Sequence, residues 1–188
     1  MIDSTAPQSI TVGISAALTV VFWVFIATPA VAEGGIVPCD SINIRVDIEP
    51  TREPVCVAGT TMDVEFSSEY QFIQLHAGYR FIVVSVQRAL GRSIFEKPQF
   101  ESVIEGLVHL GGDPESIEWT TDVDDERFKL QRFNVTTDKS LLPCVGFMET
   151  TGRSGSDTKS VLYGYFCNLF GVAFARPEIG DLLSRIRD

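Results

Sequence analysis

Four cysteines constrain the fold of this chain more than any other feature. Cys144 and Cys167 bracket two apolar-rich runs, Val145 to Thr150 and Ser160 to Phe166. Between the runs lies Gly152-Arg153-Ser154-Gly155-Ser156-Asp157-Thr158-Lys159, a stretch of hairpin-loop composition. In a hairpin symmetric about that loop, Cys144 stands directly opposite Cys167. The Cα spacing of a non-hydrogen-bonded antiparallel pair, about 4.5 Å, is within disulfide reach. The same register sets Phe147 opposite Gly164, so the ring covers a position with no side chain. Four cysteines allow three connectivities, and spacing alone does not choose among them. The hairpin favours Cys144–Cys167, which leaves Cys39 with Cys56 to close the first strand and its turn. A stapled fold is therefore expected. No Cys-x₂₋₄-Cys spacing or neighbouring histidine points to zinc, and no Cys-x-x-Cys points to redox chemistry.

The second constraint is the N-terminus. Ile10 to Ala32 runs 23 residues without a charge and ends on Pro29-Ala30-Val31-Ala32, an Ala-x-Ala pattern that reads as an export signal cut after Ala32. Two features favour a rival, an uncleaved membrane anchor. No Lys or Arg precedes Arg45, and the run approaches the roughly 20 residues that span a bilayer. The small residues before Glu33-Gly34-Gly35 favour cleavage. Lipoprotein processing at Cys39 does not fit, because Pro38 stands where a small residue is wanted.

Residues 33–188 form one expected extracytoplasmic domain, since no repeat, linker or low-complexity tract divides them. All 15 Lys and Arg and 24 of the 25 Asp and Glu lie there, a net charge of −9. That balance argues against nucleic acid and anionic lipid as partners. A membrane enters only if residues 10–32 are retained as an anchor.

The pattern is α+β: a mainly antiparallel sheet with two short amphipathic helices on one face, stapled by disulfides. Ile42, Ile44, Val46 and Ile48 alternate with polar residues, as in a strand with one wet face. Met62, Val64 and Phe66 do the same. Phe81-Ile82-Val83-Val84-Ser85-Val86 is apolar on both sides and predicts a central strand, with a poorly phased strand over Phe72 to His76 just before it. Phe100, Val103, Ile104, Leu107 and Val108 form one helical stripe that ends near Gly111-Gly112. Ile179, Leu182, Leu183 and Ile186 repeat it after Pro177. Asp113-Pro114-Glu115 has the chemistry of a short helical turn that brings Trp119 inward. Phe128 and Leu130, then Phe133 and Val135, read as a strand whose phase changes at Gln131-Arg132, which predicts a bulge.

No pattern in the chain specifies a catalytic, cofactor or metal site. His76 and His109 are the two imidazoles, and neither lies in a motif that would orient it. Gly152-Arg153-Ser154-Gly155-Ser156 lacks the final glycine of a nucleophile elbow. Asp122-Val123-Asp124-Asp125-Glu126 lacks the EF-hand spacing and its glycine, and reads as a solvated acidic turn. Asn134-Val135-Thr136 is a glycosylation sequon placed inside an expected strand. The preferred expectation is an exported, non-enzymatic domain, periplasmic or secreted, that binds a protein partner or belongs to an envelope structure. The 152–159 loop is the first surface to search for contacts. The alternatives are a hydrolase using His76 or His109 with an acidic residue, and a membrane-tethered accessory subunit.

Overall fold

The computed structural model describes residues 32–62, 67–91, 95–96, 98–111, 114–123, 125–138, 140–151 and 157–188. In chain order these form β1 (Ala32–Ile36), a 3-10 turn (Cys39–Ser41), β2 (Arg45–Val46), β3 (Val55–Met62), β4 (Ser67–Ala77), β5 (Arg80–Ala89) and β6 (Phe95–Glu96). Helix α1 (Phe100–Gly111) follows, then β7 (Ser116–Val123), β8 (Lys129–Thr136), β9 (Leu141–Thr151), β10 (Asp157–Thr158), β11 (Ser160–Asn168), α2 (Arg176–Ser184) and β12 (Ile186–Arg187). Eight strands pair antiparallel in the order β1-β3-β4-β5-β11-β9-β8-β7. Two-stranded ribbons join β6 to β10 and β2 to β12. The fold is α+β and disulfide-stapled.

The hairpin register is the one expected. Phe147 pairs with Gly164 and Cys144 with Cys167, whose Cα atoms are 4.1 Å apart across the disulfide. A Cβ built on Gly164 would stand 2.6 Å from the Phe147 ring, so only glycine fits beneath it. Cys39 is bonded to Cys56, with 5.2 Å between Cα atoms.

Ile82 to Val86 are all buried, because β5 is apolar on both sides and is covered on both. Side chains alternate across a strand, so Val83 faces one core and Ile82, Val84 and Val86 face the other. Helix α1 covers the first face, with Phe100, Ile104, Leu107 and Val108 buried and His109 exposed, as its stripe predicts. Gly146 lies under it: an added Cβ would meet Phe100 and Ile104 at 3.2 and 3.3 Å. Helix α2 covers the opposite face through Ile179, Leu182 and Leu183, together with Ile42, Ile44 and Phe174. The helices therefore do not share one face. A two-sided central strand needs cover on each side, and one helix cannot supply both.

Several local expectations are corrected. Ile186 is buried but extended, paired with Val46 rather than continuing α2. Ile42 and Ile44 are buried and Asn43 and Arg45 exposed, yet only Arg45–Val46 is a strand, and it lies outside the large sheet. Alternating burial arises in any extended segment laid on a core, whether or not it joins the ladder. The strand expected around Met62 begins earlier, at Val55, while Val64 and Phe66 lie outside the described residues. Pro114 and Glu115 make no helical turn and lead into β7, though Trp119 does pack inward on Phe133 at 4.8 Å.

Strand β8 itself carries no bulge, since its pairing with β9 is unbroken. Phe128 and Leu130 belong to the α2-side core, while Phe133 and Val135 belong to the α1-side core. The phase change marks where the covered face switches. The register shift is on its neighbour β7, between Trp119 and Asp122.

Candidate functional site

The two histidines are held apart by the fold. His76 sits near the end of β4, half-buried against Phe81 at 5.0 Å between ring centroids. Burial lowers its pKa, and the Arg52 charge lowers it further, so both disfavour the protonated ring. It makes no side-chain hydrogen bond among the described residues. His109 is exposed on α1 and borders a shallow depression of about 250 Å³ with Glu105, Glu115 and Ser116. That depression holds the residue types of a hydrolytic site without its geometry. The Glu105 carboxylate accepts from Trp119 Nε1 at 2.7 Å, and His109 forms no side-chain hydrogen bond among the described residues. Among the described residues no carboxylate orients either imidazole, as one would for a general base.

The acidic run divides: Asp122 and Val123 end β7, and its far end is a turn. Asp125 Oδ1 accepts from the backbone N–H groups of Arg127 and Phe128, both at 2.9 Å, an Asx turn opening β8. Asp124 lies outside the described residues. Among the described residues no three His, Cys, Asp or Glu side chains are grouped to hold a metal. Asn134 is half-buried in β8, with β7 on one side and β9 on the other. Of the 152–159 loop, residues 152–156 lie outside the described residues, while Asp157 and Thr158 pair with Glu96 and Phe95. Asp157 and Thr158 are thus ribbon, and Thr158 is buried.

Sequence reasoning missed two surfaces. The first is an apolar end of the sheet, where β4 turns into β5, β9 begins and β11 ends. Phe170 is 76 % exposed and Val172 62 %, with Leu141 and Leu169 exposed beside them. The segment is tied to the sheet by hydrogen bonds and a ring contact. Leu169 N donates to the Tyr79 carbonyl at 2.8 Å, buried Asn168 accepts from Phe170 N through Oδ1 at 2.9 Å, and Gly171 adopts φ +73°. Tyr79 stacks on Phe170 at 5.9 Å. Its hydroxyl donates to Glu178 Oε1 at 2.8 Å and accepts from Arg80 Nη2 at 2.8 Å. Arg80 also reaches Glu178 at 2.9 Å. Burial pushes the Glu178 carboxyl up, but these two hydrogen bonds and the Arg80 charge outweigh it and hold it below the usual range.

The second surface is a cleft of about 360 Å³ at the opposite end of the sheet, lined by Arg127, Glu149, Thr151, Ser160, Leu162, Arg187 and Asp188. Its walls come from the β7–β8 connection, β9, β11 and the C-terminal ribbon, segments far apart in sequence. Neither surface carries a sequence signal, since each is assembled from separate elements.

The two disulfides favour an oxidising, extracytoplasmic location. Among the described residues no helix is long and apolar enough to cross a membrane, and the 10–31 run lies outside them. Comparison with known proteins yields no match to a family model, to a curated sequence or to a solved structure.

Proposed function

We propose that this protein is an exported, non-enzymatic domain, periplasmic or secreted, that binds a protein partner through the apolar end of its sheet. The observation that carries the reading is the Leu169-Phe170-Gly171-Val172 segment. Large side chains there are held toward solvent by Asn168, Tyr79 and a left-handed glycine, where a loop free to relax would fold them inward. Among the described residues neither histidine makes a side-chain hydrogen bond to a carboxylate or a hydroxyl, which supports a binding role over a catalytic one. Cleavage after Ala32 leaves Glu33 to Ile36 paired with β3, so export processing keeps the edge strand. A retained anchor would enter through β1, at the end of the sheet opposite Phe170.

Two measurements test the proposal. Mass spectrometry of protein from its native host is expected to find Glu33 at the N-terminus. Intact Met1 in the membrane fraction would instead make it a tethered subunit. A photo-crosslinking residue at Val172 is expected to capture one partner protein in the host, and Phe170→Asp should abolish the adduct while leaving thermal stability intact. The same probe at exposed His109 should capture nothing. Equal labelling from both positions, or none from Val172, overturns the contact surface. An adduct of twice the chain mass would make the partner a second copy.

A further inference from the structure

We infer that the cleft at the charged end of the sheet is a binding site for a small zwitterion, a free α-amino acid or a dipeptide. Its floor is four side chains on the α2 face of the hairpin, Ser160 and Leu162 of β11 opposite Thr151 and Glu149 of β9. Arg127 overhangs one side. It donates from Nε at 2.9 Å and Nη2 at 2.8 Å to a single oxygen of Glu149, Oε2. The other oxygen, Oε1, has no partner among the described residues. On the facing wall, Arg187 reaches Asp47 only at 3.7 Å, with both side chains well exposed, a distance too long for a hydrogen bond. Asp188 is paired with Arg88, which also holds Glu69 at 3.3 Å. The Thr151 and Ser160 hydroxyls make no hydrogen bond among the described residues.

Among the described residues the cleft thus presents one carboxylate oxygen without a partner, one guanidinium held only by the long ion pair to Asp47, two hydroxyls between them and an aliphatic floor at Leu162. A simple anion placed at Arg187 would meet Glu149 and Asp188, and a simple cation at Glu149 would meet Arg127 and Arg187. Each is opposed by like charge. A ligand carrying both an ammonium and a carboxylate satisfies the two open groups at once. The volume lies at the small end of the range for ligand sites, which suits a molecule of that size. This site lies at the other end of the sheet from Phe170 and does not depend on the partner-binding reading.

The test is an NMR titration of the mature, disulfide-bonded protein with glycine, leucine, glutamate, lysine and diglycine. Acetate and ethylammonium serve as half-ligands. Zwitterions are expected to saturate shifts at Thr151, Ser160 and Arg187, and to bind at least about tenfold more tightly than either half-ligand, the worth of one charge-assisted hydrogen bond. Arg187→Ala and Glu149→Gln should each weaken binding about tenfold without changing the thermal midpoint. Preference for diglycine over every amino acid would mark a peptide site, and the reverse a free amino acid site. Acetate binding as tightly as glycine, or no saturable shift at millimolar ligand, overturns the inference.

Discussion

On one side of β5 and β11, a single helix supplies much of the cover. Phe100, Ile104, Leu107 and Val108 of α1 descend onto Val83, Val161 and Tyr165, with Gly146 clearing the way. On the other side, cover comes from both ends of the chain at once. Ile42 and Ile44 precede the sheet, while Phe174, Ile179, Leu182, Leu183 and Ile186 follow it, and β2 pairs with β12 to join them. The Cys39–Cys56 bridge ties the early segment to β3. A local 3.6-residue stripe builds the first face; closure of almost the whole chain builds the second. The first should tolerate perturbation as a unit, while the second should depend on its staples.

The largest effects test whether both faces are equally buried. Phe166→Ala removes the ring between Phe147 and Phe174 on the α2 side, where an edge contact at 4.9 Å anchors Phe174, and should cost about 3–5 kcal/mol in urea denaturation. Leu107→Ala on the α1 side should cost about 2–5 kcal/mol, because its cavity cannot fully close. His109→Ala, two positions along and exposed, should stay within about 0.5 kcal/mol of wild type. A damaging His109→Ala would break the helix phase and the α1 face with it.

Reduction of the bridges separates the faces next. Each closes a loop with a sequence separation of 17 or 23 residues and should contribute about 3 kcal/mol. Replacing Cys39 and Cys56 with serine should loosen the α2 side selectively, seen as faster hydrogen exchange in α2 than in α1. Replacing Cys144 and Cys167 should lower both together, since that pair joins the two strands that both faces share. Equal exchange in both helices after loss of Cys39–Cys56 would contradict the contrast.

Glycines sharpen it at smaller scale. Gly164→Ala drives a methyl into the Phe147 ring and the Val83 carbonyl and should cost about 1–3 kcal/mol. Gly106→Ala has open space around it on the outer side of α1 and should stabilise the protein by up to about 1 kcal/mol.

The smallest effect is a pH dependence confined to the α2 side. Tyr79 and Arg80 hold Glu178 ionised below its unfolded pKa of about 4.3, so its contribution is complete above that value and lost as pH falls through the lower folded one. The pair is partly exposed, so the loss should be under about 1 kcal/mol. Glu178→Gln should remove that part of the acid slope and leave stability at pH 7 slightly reduced.

This contrast also explains what was legible in the sequence. The α1 stripe and the hairpin could be read because each is encoded locally, by a helical period and by two cysteines equidistant from a loop. The two-sidedness of β5 is visible in its apolar run, but that run does not encode which element covers each side. Strand β1 and all of β3 before Met62 escape because Ala-Glu-Gly-Gly-Ile and Val-Cys-Val-Ala-Gly-Thr-Thr carry no alternation. Their pairing is set by tertiary neighbours, with Gly34 opposite Gly59 and the Tyr70 hydroxyl laid against Gly34. The switch of covered face along β8 imitates a bulge because both events shift an alternation by one residue. The apolar end is hidden for a different reason. Leu169 to Val172 has the composition of buried chain, and only the Asn168 cap and the turn at Gly171 turn it outward.

Methyl NOEs in the oxidised protein test the two-faced sheet most directly. Ile104 and Leu107 of α1 should show contacts to Val83 and Val161 but not to Val84 or Leu162, while Leu182 and Leu183 of α2 should contact the Ile82, Val84 and Leu162 set but not Val83 or Val161. NOEs from both helices to the same parity of β5 and β11 residues would place them on one face and contradict the architecture.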